Sequence, residues 1–270
     1  MIEFDRARCV GCGACARDCF PEAITMQNGA PTFSAPGACI RCGHCVAVCP
    51  MDCVTMPDAQ MDEVRPGKPD VSADELLHLM QFRRSTRQYT AEPVTEAELE
   101  KLLTAARWCP TAKNAQDTTY IVVREQKTAL LGAALESLAG LGVSMLRNPD
   151  LPPDETRRAE KFVRWLDEFH ANPTFDPLFF HAPMLLLFVS KSDPRDAAAA
   201  AAYVGLQAAA MGLGCLFSGY FTAVAGQSEA IRTMLGLAPD EQVARCLVLG
   251  HPAVQFRRTV PRDAANVRFC

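Results

Sequence analysis

Apolar positions along this chain change their spacing several times, and each change marks an element. Ser72 followed three residues later by Glu75 opens a capping box, predicting a helix over 72–82. Thr95 and Glu98 repeat that pattern for a second helix, which ends near Trp108 because Pro110 disfavours helical backbone before it. Residues 119–124 alternate and are rich in β-formers, predicting a strand, and 128–140 read as a helix. The unbroken apolar run at 184–190 has the length of a buried strand. A short strand near Cys215, a helix over 229–235 and a strand over 244–250 complete the series. Residues 148–183 are proline-rich and irregular, with one charged helical piece at 157–170. Helices interleaved with strands predict a layered α/β or α+β domain. No G-x-G-x-x-G follows a strand, so the Rossmann-type dinucleotide fingerprint is absent.

One segment is apolar enough to mislead. Across 197–217 the only strongly polar residue is Gln207, and the length alone would span a bilayer. Its content is Ala and Gly, which carry little transfer energy, so it reads as a buried core helix. Small side chains also suit close helix approach at a subunit interface, and the two placements stand side by side.

The first fifty residues follow no such period. Cys9, Cys12, Cys15 and Cys19 read C-x2-C-x2-C-x3-C, and Cys39, Cys42, Cys45 and Cys49 repeat the spacing thirty positions later. That spacing is the ligand run for paired [4Fe-4S] clusters, with the fourth cysteine of each run ligating the other cluster. Three thiolates from a short loop can wrap three corners of a cubane, and the fourth must arrive from a distant segment. Crossing the fourth ligands lets a segment of about sixty residues with little apolar core fold around metal. The halves also match outside the cysteines, and the I-T-M and V-T-M tails at 24–26 and 54–56 predict two short strands paired with each other. Zinc rarely needs eight thiolates at a repeated spacing.

The totals narrow the picture further. Net charge is -4 across 270 residues, so no basic face points to nucleic acid. Thirteen cysteines, with no basic-then-apolar leader at the start, lead to the expectation of a reducing cytoplasm and no membrane association. After Met56 the chain turns proline-rich, which sets a domain over 1–60, a linker over 61–71 and a second domain over 72–270.

Residues 1 to about 60 resemble the bacterial-type two-cluster ferredoxins. The resemblance implies one cluster on Cys9, Cys12, Cys15 and Cys49, and another on Cys39, Cys42, Cys45 and Cys19. Phe20 stands where a proline usually follows the fourth cysteine. Cys53 is read as a buried small hydrophobe rather than a ligand, and Cys109, Cys215, Cys246 and Cys270 show no mutual metal spacing.

R-R-S-T-R at 83–87 places three guanidiniums about a hydroxyl, a fork geometry that suits phosphate. It is followed by C-P-T-A-K-N-A-Q at 109–116, G-L-G-C-L-F-S-G-Y at 212–220 and an arginine pair near the end. In that order these four motifs resemble the nitroreductase family of FMN enzymes over about 70–270. The resemblance implies phosphate contacts from Arg83, Arg84, Ser85, Arg87, Arg257 and Arg258. It implies that Asn114 meets the flavin ring, with Thr111 and Ala112 beside it, and that Ser218 and Gly219 offer backbone N–H groups to N5 and O4. Asp117 and Thr118 depart from a common Pro-Trp, and Ser218 from an acidic residue of some members, which leaves substrate and nicotinamide use open. Phe175, Phe179 and Phe180 are candidates to cover the flavin. His44 is a candidate to tune a cluster, and His170 and His181 to protonate a substrate.

The expected fold class is therefore α+β: a small ferredoxin-like two-cluster domain joined to a three-layer nitroreductase-type FMN domain. The expected activity is electron flow from an external low-potential donor, such as a reduced ferredoxin, through two clusters to FMN. An electrophilic organic substrate would accept them: a nitroaromatic, quinone or activated alkene. The resemblance implies a homodimer. A non-enzymatic flavin and iron–sulfur relay or sensor is the alternative, and reductive dehalogenation shares the scaffold. No catalytic residue can be named from sequence.

Overall fold

The computed structural model describes residues 1–270. They form two compact units, Met1–Asp70 with Thr111–Ala115, and Val71–Pro110 with Gln116–Cys270.

The first unit is built on its repeat. Strand β1 (Glu3–Phe4) precedes the single-turn helix α1 (Ala14–Arg17), strands β2 (Ile24–Gln27) and β3 (Ala30–Phe33), helix α2 (His44–Ala47) and strand β4 (Val54–Thr55). Each helix starts after a left-handed glycine, Gly13 at φ 71° and Gly43 at φ 73°. Both repeat tails are strands, but they do not pair with each other. Asn28 and Gly29 at φ 49° and 76° make the tight hairpin turn that folds β2 onto β3. That leaves β4 to pair antiparallel with β1. The core is small, with Ile2, Ile24, Val54 and Met56 packed on Cys15, Cys45 and Cys53.

In the second unit α3 (Ala73–Phe82) and α4 (Glu96–Arg107) start at the expected caps, Ser72 accepting from the Glu75 amide and Thr95 completing a capping box with Glu98. Then come β5 (Thr119–Val123), α5 (Lys127–Met145), α6 (Pro153–Ala171), β6 (Met184–Ser190), α7 (Pro194–Ala210), β7 (Gly214–Phe217), α8 (Gly219–Ala225), α9 (Glu229–Leu235) and β8 (Gln242–Gly250). The sheet runs β5-β6-β8-β7 with every neighbour antiparallel. All seven residues of β6 are buried, which explains its unbroken apolar run. Leu185, Leu187, Val189 and Val248 face a layer from α5, α6, α8 and α9. Met184, Leu186, Phe188 and Leu249 face α4 and α7 on the other side. The unit has three layers with the sheet in the middle.

Three expectations change. The charged piece in the irregular segment is a 19-residue helix, α6, because Pro153 occupies the first helical turn, where a missing N–H costs nothing. The alanine-rich stretch is a buried helix only to Ala210, and its glycine-rich end turns into β7. The short α8 gave no period to detect. By length and composition, the one helix that would cross a bilayer is Lys127–Met145 rather than the alanine-rich one. Its buried face packs on α6, where Gly142 comes so close to Ala159 that a Cβ would meet the Ala159 carbonyl oxygen at 2.6 Å.

Candidate functional site

The first unit leaves its thiols free rather than joined in disulfides. All thirteen cysteines are free. Cys9, Cys12, Cys15 and Cys49 line one cavity together, so the backbone brings the fourth ligand of the second run to the first. The positive-φ positions that shape the loops recur thirty residues apart: Gly11 with Arg41, Gly13 with Gly43 and Glu22 with Asp52. Backbone amides point at ligand sulfurs, from Arg41 to Cys39 Sγ at 3.4 Å and from Cys53 to Cys49 Sγ at 3.4 Å. Such donors compensate thiolate charge around a cluster. His44 Nδ1 lies 3.1 Å from Asp18 Oδ2 at the surface, so its ring is engaged by a carboxylate. The donor set is all thiol and fits iron–sulfur clusters.

In the second unit the arginine-rich segment is held against β7 by a single bridge. Arg83 ends α3 by donating its amide to the Leu79 carbonyl. Ser85 bridges Cys215 in parallel, and the Thr86 amide donates to the Cys215 carbonyl at 3.1 Å. Thr86 packs onto Gly214, where a Cβ would lie 2.7 Å from its methyl carbon, so only glycine admits this approach. Alternation along the segment turns Thr86 inward and leaves Ser85 and Arg87 exposed. Arg84 Nε is buried without a protein partner. An oxyanion there would satisfy a donor that is otherwise costly to bury. That is the observation by which the segment fits a phosphate.

Arg87 also lines a cavity of about 670 Å³ with Ser218, Gly219, Trp165, Phe180 and Tyr220. Its volume falls in the range of cofactor and substrate pockets. The Ser218 amide donates to the Cys246 carbonyl at 2.9 Å, so it is not free for a flavin; the expected pair of amides is corrected to one. Gly219 begins α8 and its amide has no intrahelical acceptor. The aromatic wall is fixed from below. Asp176 accepts from the amides of Phe179 and His181, both at 2.8 Å. That carboxylate holds Phe180 and His181 at φ 55° and 58°, a left-handed pair without glycine. Of the three phenylalanines considered, Phe180 lines the cavity, Phe179 is core, and Phe175 does neither.

Other expected residues lie elsewhere. Asn114 groups with the first unit, where its Nδ2 donates to the carbonyls of Arg41 at 3.0 Å and Ile40 at 3.3 Å. Its amide nitrogen is therefore spent on the loop between Cys39 and Cys42, a correction to its role at the flavin ring. Thr111 and Ala112 belong to the same short insertion. Lys113 and Asn114 adopt φ 52° and 53° within it. Arg257 and Arg258 are exposed in the irregular carboxy-terminal segment and do not line the cavity. His170 and His181 do not line it either. Burial pushes the Cys215 thiol up to about 12 and the Cys246 thiol higher still, as befits apolar core residues. Sequence reasoning missed Trp165, Tyr220 and Lys161. Lys161 Nζ donates to the Tyr220 hydroxyl at 3.1 Å and lies 4.9 Å from the centres of both the Trp165 and Tyr220 rings.

A unit with two repeated runs of free thiols, and a three-layer sheet unit with an arginine-lined aromatic pocket, define a redox protein, and comparison with known proteins agrees. A nitroreductase-family profile matches residues 80–251, and a 4Fe-4S dicluster-domain profile matches residues 1–50. The chain belongs to the nitroreductase family and carries an amino-terminal domain for two [4Fe-4S] clusters. Similar solved structures include a nitroreductase with bound FMN from Bacteroides fragilis NCTC 9343, at 18% identity over 72% of this chain and 98% of that one, with a TM-score of 0.54. Oxidized iodotyrosine deiodinase bound to FMN and 3-iodo-L-tyrosine aligns at 20% identity over 72% and 98%, with a TM-score of 0.53. A nitroreductase with bound FMN from Desulfitobacterium hafniense DCB-2 aligns at 18% over the same shares, at 0.51. At these identities the three establish the fold. No curated protein matches the chain.

Proposed function

We propose that this chain is an FMN- and iron–sulfur-dependent oxidoreductase that takes electrons from an external low-potential donor and delivers them to an electrophilic organic substrate, a nitroaromatic, quinone or activated alkene. The observation that carries this reading is the cavity of about 670 Å³ that gathers Arg87, Ser218, Gly219 and four aromatic side chains in one place. When bound, the clusters supply single-electron steps and FMN supplies one- or two-electron and hydride chemistry.

The chain's own residues have distinct tasks. Arg84 and Arg87, with Arg83 and Ser85 beside them, bind the phosphate; Arg257 and Arg258 reach it from the carboxy-terminal segment. The Gly219 amide stabilises negative charge on the reduced ring. Trp165 and Phe180 exclude water and stack on a flat substrate. Tyr220 holds a proton at its hydroxyl for the substrate, oriented by the hydrogen bond from Lys161. Cys9, Cys12, Cys15 and Cys49 hold one cluster, and Cys39, Cys42, Cys45 and Cys19 the other.

A homodimer in a reducing cytoplasm completes the reading. Helix α3 supports it, since no residue of that helix is buried while Leu76, Leu77, Met80 and Phe82 are all exposed. Sedimentation at micromolar concentration reads the oligomeric state. The activity test is anaerobic. Protein reduced with dithionite or a reduced ferredoxin is mixed with a nitroaromatic, a quinone, an enone and a halogenated phenol. Rapid return of oxidised-flavin absorbance with at least one supports the reading; a flavin that stays reduced with all four refutes it in favour of a relay.

A further inference from the structure

The two halves of the iron–sulfur unit repeat at thirty residues in ligand spacing, in helix position and in positive-φ backbone. Among the positions where they differ, one places a side-chain thiol against a ligand sulfur. Four residues after Cys49 stands Cys53, and four residues after Cys19 stands Ala23. Both positions are buried, Cys53 at 4% exposure and Ala23 at 0%, so neither thiol nor methyl is there for solvent. Cys53 Sγ sits 3.3 Å from Cys49 Sγ and lines the same cavity as Cys9, Cys12, Cys15 and Cys49.

An iron-bound cysteine sulfur is a thiolate, which only accepts hydrogen bonds. A neighbouring protonated thiol can only donate to it. At the other cluster the Ala23 methyl can do neither. Backbone donors do not offset this difference, because each ligand set receives one: Cys53 N to Cys49 Sγ and Arg41 N to Cys39 Sγ, both at 3.4 Å. The side-chain thiol is therefore a donor to a ligand sulfur that one ligand set has and the other lacks.

We propose that Cys53 donates an S–H···S hydrogen bond to the Cys49 sulfur and thereby holds the cluster of Cys9, Cys12, Cys15 and Cys49 at a higher reduction potential than the cluster of Cys39, Cys42, Cys45 and Cys19. A donor to a ligand sulfur stabilises the reduced cluster, which carries one more negative charge, more than the oxidised one. One buried residue thus ranks the clusters, and the first electron taken up rests on the Cys49 side. Cys53 is a positioning and tuning residue and not a ligand. The inference rests on the cluster ligation alone, so it stands or falls independently of the flavin substrate.

The test is a spectroscopic redox titration of the full-length holoprotein, with iron counted in every sample. Wild type is expected to show two separate cluster potentials. Cys53→Ala is expected to shift the higher one to more negative values and leave the lower in place, at unchanged iron content. Cys53→Ser, which keeps a donor, is expected to restore the separation. Should Cys53→Ala lose iron, Cys53→Val against Cys53→Ser decides in the same way. A single shared potential in wild type would overturn the proposal, as would an unshifted pair in the alanine or valine variant. Loss of iron from every variant would also overturn it, by showing that the thiol is structural.

Discussion

The ammonium of Lys161 donates to the hydroxyl oxygen of Tyr220 at 3.1 Å while lying against the Trp165 ring. On either side of it along α6, Arg158 pairs with Glu155 and Arg164 with Glu168, so the two arginines face carboxylates while Lys161 is directed to the aromatic cluster. With its oxygen accepting, Tyr220 has one proton left to offer, and Tyr220 lines the cavity. Replacing Tyr220 by Phe is expected to slow single-turnover oxidation of the reduced protein by a nitroaromatic about 10²-fold, the lower range of general acid catalysis. Flavin content should not change. Stopped-flow absorbance reads the rate, and an unaltered rate would remove Tyr220 from the chemistry.

The close approach of Gly142 to the Ala159 carbonyl makes a stability prediction that runs against helix propensity. Alanine in a helix interior normally gains about 1 kcal/mol over glycine. Here the new Cβ would lie 2.6 Å from a backbone oxygen, which cannot swing aside as a side-chain tip would. Gly142→Ala is expected to lose about 1–3 kcal/mol by forcing α5 away from α6. Denaturant titration followed at the transition of the sheet domain measures it.

Asp117 gives a pH dependence with a definite sign. The Ser192 hydroxyl and amide and the Ser190 hydroxyl donate to its carboxylate, at 2.6, 3.1 and 3.3 Å, and hold it below the usual carboxylate range. A group whose folded value is depressed contributes stability above its unfolded value and loses it as pH falls through the folded one. Wild type should therefore lose melting temperature on acidification below about pH 4, with part of that loss absent in Asp117→Asn. At pH 7 the asparagine variant should be less stable by about 1–3 kcal/mol. Parallel melts at neutral and acid pH check both, and equal acid slopes would contradict the assignment.

Iron removal should separate the two units. The first has only a handful of buried aliphatic residues around its cysteines, too few to hold a fold without metal. Chelation under reducing conditions is expected to abolish amide protection across 1–70 while β6 and β8 stay protected. Hydrogen exchange by mass spectrometry resolves the two regions.

Much of this was legible in the sequence, for physical reasons. Capping chemistry is local, so Ser72 and Thr95 announced their helices to within a residue. The unbroken run of β6 meant burial on both faces. Cysteine spacing is a direct image of cluster geometry, and it placed Cys49 beside Cys9, Cys12 and Cys15. What stayed hidden depends on long-range contact. Nothing in the neighbourhood of Asn114 signals that its amide would bond the Arg41 carbonyl 73 residues away. Lys161 and Tyr220 are 59 residues apart, and only the packing of α6 near α8 unites them. Prolines at 152 and 153 read as breakers in an irregular segment, and only the helix start itself shows that they initiate α6.

The most direct measurement is composition. Protein isolated without air should contain about eight irons with matching sulfide and about one FMN per chain, by metal analysis and flavin absorbance after denaturation. Zinc in place of iron, or a chain that retains no flavin after reconstitution, would contradict the account.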